Sequence, residues 1–148
     1  MPEELTIDTT VLVRANVTLT PAREAATLLA ARLGLLQRVN ARQAAVLISM
    51  RLANEYARRL RNYRNEVVRA FLDLVTRPDG SHVVLNWRSP WTRADRARVH
   101  ECRFPAEDSH VLRTAVRDHP TTIYSEEERM LRAQACIRRH FLVRISRP

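Results

Sequence analysis

Five short apolar runs, separated by longer helical stretches, restrict this chain to a narrow set of folds. Leu5–Asp8 (LTID), Ala44–Ile48 (AAVLI), His82–Trp87, Thr121–Tyr124 and Phe141–Ile145 (FLVRI) read as strands. AAVLI is apolar at every position, as a buried strand requires. Between the runs the sequence punctuates helices. Thr20-Pro21 opens one that runs to about Val39. Ser49 caps another, to about Leu60, and a third covers about Arg64–Val75 before the Pro78-Asp79-Gly80 turn. Thr92-x-x-Asp95 has the form of a capping box for a helix to about Cys102, and Ala106–Val116 forms the next. Ser125-x-x-Glu128 has the same box form and opens a helix to about Arg138. Strands alternating with helices in a single 148-residue domain, 1–148, predict a parallel sheet with helices on both faces. In such sheets ligands bind beyond the carboxyl ends of the strands.

Composition narrows the chemistry. An apolar fraction of 45% suffices for a core. All 25 basic residues are arginine, and the net charge is +9. A field of that sign attracts polyanions, whether nucleic acid or an anionic membrane surface, and arginine forks match phosphate geometry. The lack of lysine excludes a Walker A clamp and a Schiff base, and two glycines, Gly34 and Gly80, exclude a glycine-rich phosphate loop. The acidic opening MPEELTID and the lack of an 18-residue apolar run lead us to expect a cytoplasmic protein. Cys102 and Cys136 form no C-x-x-C and the five histidines are scattered. We therefore expect neither a zinc site nor a disulfide, and two thiols of a reduced protein.

The carboxylates carry the functional signal. Asp8 follows the first strand, where it serves either a ligand site or the cap of the next helix. Glu55 sits beside the core stripe Leu52, Tyr56 and Leu60, yet Arg51 and Arg59, each four residues away, offer a surface ladder. Asp108 begins the face that continues through Val111, Leu112 and Ala115, and equally suits a helix dipole. Glu126, Glu127 and Glu128 follow the fourth strand; Glu128 can belong to the capping box, which leaves Glu126 or Glu127 as the fourth acid. A parallel sheet brings all four positions to one edge. Clustered acids repel, so a stable cluster needs a cation, and hard oxygen donors suit Mg²⁺ or Mn²⁺.

With these residues placed, the chain resembles the PIN-domain ribonucleases, including the VapC-type toxins, over nearly its whole length. Four ordered segments carry the resemblance: L-T-I-D-T-T-V-L-V-R-A, S-M-R-L-A-N-E-Y, E-D-S-H-V-L-R-T-A and I-Y-S-E-E-E-R-M-L. It implies a three-layer α/β/α sandwich around a five-stranded parallel sheet and metal-dependent cleavage of RNA. Asp8, Asp108 and Glu127 would hold Mg²⁺ or Mn²⁺, Glu55 would hold metal-bound water or position the nucleophile, and Thr9 and Ser125 would support them. The resemblance also implies a homodimer and a small antitoxin partner. Two positions depart from the pattern: Thr10 stands where Asn or Ser is common, and Glu127 replaces the more usual Asp. Those departures sustain an alternative, a PIN-like module that binds RNA or scaffolds a complex without cutting. Arg14, Arg51 and Arg58 are candidate phosphate contacts, though each also fits a solvated helix face. Trp87 and Trp91 can stack on bases, but covering a core edge or an interface is the stronger expectation.

Overall fold

The computed structural model describes residues 2–18, 23–77 and 82–148. Five strands, β1 (Glu3–Ile7), β2 (Ala44–Ile48), β3 (Val83–Leu85), β4 (Thr121–Tyr124) and β5 (Val143–Ser146), form one all-parallel sheet in the order β3-β2-β1-β4-β5. The helices are α1 (Thr9–Ala15), α2 (Arg23–Asn40), α3 (Met50–Arg59), α4 (Glu66–Thr76), α5 (Arg93–Glu101), α6 (Ser109–Ala115), α7 (Glu128–Arg132) and α8 (Gln134–Phe141), with a 3₁₀ turn at Ala106–Asp108.

Handedness sorts these helices into layers. The chain steps from β1 to β2 to β3 in one direction, then returns past β1 to β4 and β5. Right-handed crossovers therefore put α1–α4 on one face and α5–α8 on the other. The contacts agree, since α2 packs on α4 while α5 and α7 pack on α8. The result is a three-layer α/β/α sandwich. Both faces of the central strands are buried: Leu5, Thr6 and Ile7 of β1 are all at 0% exposure, and all five residues of β2 are buried. This explains why AAVLI carries no polar alternation. The direction of winding reverses between β1 and β4, and such a switch opens a crevice at the carboxyl edge.

Several local signals hold and others do not. Ser49 caps α3 by accepting from the Leu52 amide at 3.2 Å, and both halves of the Thr92–Asp95 capping box are made. The Ser125–Glu128 box is not made. Glu127 is the N-cap of α7, Ser125 bonds elsewhere, and the single helix expected to Arg138 breaks at Ala133 into α7 and α8. Phe141 belongs to α8 rather than to the last strand. The Thr20-Pro21 cap and the Pro78-Asp79-Gly80 turn lie outside the described residues.

The cysteines overturn the reduced-protein expectation. Cys102, at the end of α5, and Cys136, in α8, are joined by a disulfide with their Cα atoms 5.4 Å apart. A separation of 34 residues shows nothing of this in the sequence; the packing of α5 on α8 brings the two together. Among the described residues no helix is long and apolar enough to cross a membrane.

Candidate active site at the carboxyl edge of the sheet

Each strand of the central sheet hands over to a polar residue at the carboxyl edge. Asp8 follows β1, Ser49 follows β2, Asn86 follows β3 and Ser125 follows β4. Backbone bonds extend the sheet to these positions: the Asp8 amide donates to the Tyr124 carbonyl at 2.9 Å and the Ser125 amide to Ser146 at 3.0 Å.

Asp8 is 3% exposed and occupies the N-cap position of α1, but its side chain makes no cap bond. Its Oδ2 instead accepts from the Thr10 hydroxyl at 2.7 Å and from the Ser125 hydroxyl at 2.8 Å. Thr10 thus supplies a hydroxyl to the first acid. Burial pushes the Asp8 carboxyl upward; the two hydroxyls oppose it, the charge of Glu55 adds to it, and the net shift is up.

Glu55 lies one residue before Tyr56, the buried phenol that fixes α3 over the end of β1 by donating to the Ile7 carbonyl. No ladder to Arg51 or Arg59 forms. The Glu55 carboxylate meets His110 Nε2 of α6 at 2.7 Å. That bond outweighs burial and holds Glu55 below its usual range, so the carboxylate is ionised and Nε2 carries the proton. His110 Nδ1 is buried without a hydrogen-bond partner among the described residues. Sequence spacing gave no sign of His110. Thr9 is buried beside Glu55, and the neighbouring Ser49 and Thr114 hydroxyls are 2.7 Å apart, which ties the start of α3 to α6.

Asp108 is the N-cap of α6 and, like Asp8, makes no cap bond. Burial first, then the charges of Asp8, Glu107 and Glu55, push its carboxyl up to about 6. The structure therefore places Asp8, Glu55 and Asp108 within each other's fields. They do not meet. No three carboxylates among the described residues bring oxygens within 4.8 Å of one another. The one cluster that close is Cys102, Cys136 and His140, whose sulfurs are spent in the disulfide.

The three glutamates after β4 have separate fates. Glu126 is 8% exposed and clamped by Arg32, with Nε and Nη2 each 2.6 Å from a carboxylate oxygen, and by Arg14 at 3.3 Å. Burial works upward on it, but the two guanidiniums win and hold it low. Glu128 pairs with Arg147 at 2.5 Å. Glu127 caps α7, meets Arg129 Nε at 3.1 Å, and donates its own amide to the Ser125 hydroxyl that also binds Asp8. Arg129 reaches on to Glu107, next to Asp108. Glu126 and Glu127 are each tied to Asp8 through one hydroxyl, the Glu126 amide donating to Thr10 at 3.4 Å and the Glu127 amide to Ser125 at 3.0 Å. Of the three carboxylates, only that of Glu127 is outside the Arg32 clamp and the Arg147 pair.

Of the arginines singled out, Arg14 is engaged by Glu126 while remaining 53% exposed. Arg51 and Arg58 lie on exposed turns of α3 with no ion pair among the described residues. The acids fit a divalent cation in donor type and in charge: oxygen-only ligands, two with raised pKa values, and no protein cation paired to either Asp8 or Asp108 among the described residues. No protein-family model, curated protein or solved structure significantly matches the chain.

Proposed function

We propose that the carboxyl edge is a Mg²⁺- or Mn²⁺-dependent site for hydrolysis of RNA phosphodiester bonds, with Asp8, Glu55, Asp108 and Glu127 as its acids. One observation carries the reading. In a chain with 25 arginines, the buried Asp8 and half-buried Asp108 lie within the field of each other or of Glu55 at the carboxyl edge, and neither aspartate has an arginine partner among the described residues. A bound cation supplies charge neutralisation at the phosphodiester and lowers the pKa of water. The chain does the positioning. Thr10 and Ser125 fix the Asp8 carboxylate, and His110 fixes that of Glu55. Drawing the acids together requires a side-chain rotation, because their oxygens stand apart as described. Glu127 must in addition release Arg129. The arginine surface grips the polyanion.

The homodimer, the antitoxin partner and the cytoplasmic setting belong to the same proposal. A reducing compartment would work against the Cys102–Cys136 bond. A second reading, an RNA-binding module without cleavage, is favoured by the splayed carboxylates and by the Glu127–Arg129 pair.

Incubation with single-stranded RNA and Mn²⁺ tests the first reading against the second. We expect cleavage that EDTA stops and that Asp108→Asn lowers by about 100-fold or more, with salt-sensitive RNA binding retained. Wild-type protein that binds several RNAs and cuts none of them supports the second reading.

A further inference from the structure

A cavity of about 320 Å³ adjoins the acid edge, between the start of α3, the segment after β3, and helices α5 and α6. Arg51, Arg96, Arg113, His110, Trp87 and Trp91 stand out in its wall. Every ionisable side chain lining it is basic, and none of the three arginines has a carboxylate partner among the described residues. Arg14, Arg32, Arg38, Arg117, Arg129 and Arg147, by contrast, each meet a carboxylate.

The aromatic wall is built rather than incidental. Trp91 stacks on Phe141 of α8, with ring centroids 5.7 Å apart and planes 21° from parallel. The Arg113 guanidinium lies 4.1 Å from the Trp87 ring centroid and 5.8 Å from that of Trp91. Its Nε is held by the Arg88 carbonyl at 2.7 Å, and Arg96 is held by the Trp91 carbonyl at 3.1 Å. A guanidinium fixed against an indole gives a flat cationic surface on which a base stacks, while the unpaired arginine nitrogens face phosphate acceptors. His110 joins this cavity to the acids through its bond to Glu55.

We infer that the Trp87–Trp91–Arg113 cavity is a nucleotide subsite, which takes a base against the tryptophan–arginine wall and its phosphate on Arg51 and Arg96. This rests on the reading of the acid edge as an RNA-cutting site, for which it supplies the residue next to the scissile bond. The experiment separates the two. Trp87 and Trp91 are the only tryptophans in the chain, so the two indole N–H signals in a nitrogen–proton correlation spectrum report on this cavity alone. AMP, GMP, CMP and UMP are titrated in EDTA, where no metal-dependent cleavage occurs, with inorganic phosphate and adenosine as controls. We expect at least one monophosphate to move both signals with a Kd of about 1 mM or tighter, and the controls to bind at least about tenfold more weakly. Arg51→Gln, on an exposed turn, should weaken the monophosphate at least about tenfold. Indole signals that stay put with all four monophosphates, or that move as far with phosphate alone, overturn the subsite, even if the protein cuts RNA. Nucleotide binding in a protein that cuts no RNA upholds the subsite and removes the nuclease reading.

Discussion

The two edges of the sheet treat their acids in opposite ways. At the amino edge, Glu3 is matched by Arg38 at 2.6 Å, and Glu4 by Arg117 at 3.1 Å and His119 at 2.7 Å. Burial works upward on Glu3, but its bonds from Arg38 and Tyr124 prevail and its carboxyl lies low. At the carboxyl edge, Asp8 and Asp108 are shifted up, by burial first, with like charges next to them. The same chain could have put an arginine there, as it does for Glu126 with Arg32. A paired acid stabilises a fold, whereas a desolvated acid without a cationic partner costs it stability.

Three substitutions test that contrast, in descending size. Arg32→Gln would turn Glu126 into one more under-neutralised buried acid. With the Arg32 and Glu126 side chains 13% and 6% exposed, we expect a loss of about 2–3 kcal/mol, tempered by the remaining Arg14. Urea denaturation measures it, and a loss within error of zero would show that the clamp is not structural.

Asp108→Asn should go the other way. Its folded-state pKa, about 6, lies above the ordinary aspartate value of 3.8. The folded state therefore holds the proton more tightly, and ionisation destabilises it. That penalty is absent below about pH 4, grows between pH 4 and 6, and is complete above. In EDTA the variant should gain about 1 kcal/mol at pH 8, after allowance for solvent screening at a half-buried site. The gain should vanish at about pH 4. Thermal unfolding at the two pH values decides; a variant less stable than wild type at pH 8 would break the comparison.

Glu4→Gln is the mirror experiment, with an expected loss of about 1 kcal/mol. His119 has its pKa raised, chiefly by the bond to Glu4 and then by Asp118. Its contribution is complete below the unfolded value and is lost as pH rises through the folded one. The cost of Glu4→Gln should accordingly be larger at pH 6 than at pH 9. Equal costs at both would assign the effect to Arg117 alone.

Much of the architecture was legible because it is written locally. Ala44–Ile48 and Thr121–Tyr124 are apolar or β-branched over their whole lengths and end at Ser49 and Ser125. The Thr92–Asp95 box needs only a four-residue window. What escaped depends on distant partners. Thr9–Ala15 has a strand's β-branched composition, yet folds as α1 because Thr9, Val11, Leu12 and Ala15 find burial around a helix. Ser125 has the spacing of a cap, but Asp8, from the other end of the chain, claims its hydroxyl. The choice among Glu126, Glu127 and Glu128 was open in sequence, since only the positions of Arg32, Arg14, Arg147 and Ser125 distinguish them. The positions of Asp8, Glu55 and Asp108 could be read from the sheet topology; the His110 bond to Glu55 could not.

The Cys102–Cys136 bond, finally, gives the site a covalent boundary. It closes a ring that contains Asp108, His110, Arg113, Ser125 and Glu127, while Asp8, Glu55 and Trp87 lie outside it. The crevice is thus assembled between a cyclic segment and the remainder of the chain. A protease that nicks the backbone inside the ring would leave a single molecule, with every one of these groups still tethered, until a reductant released the pieces.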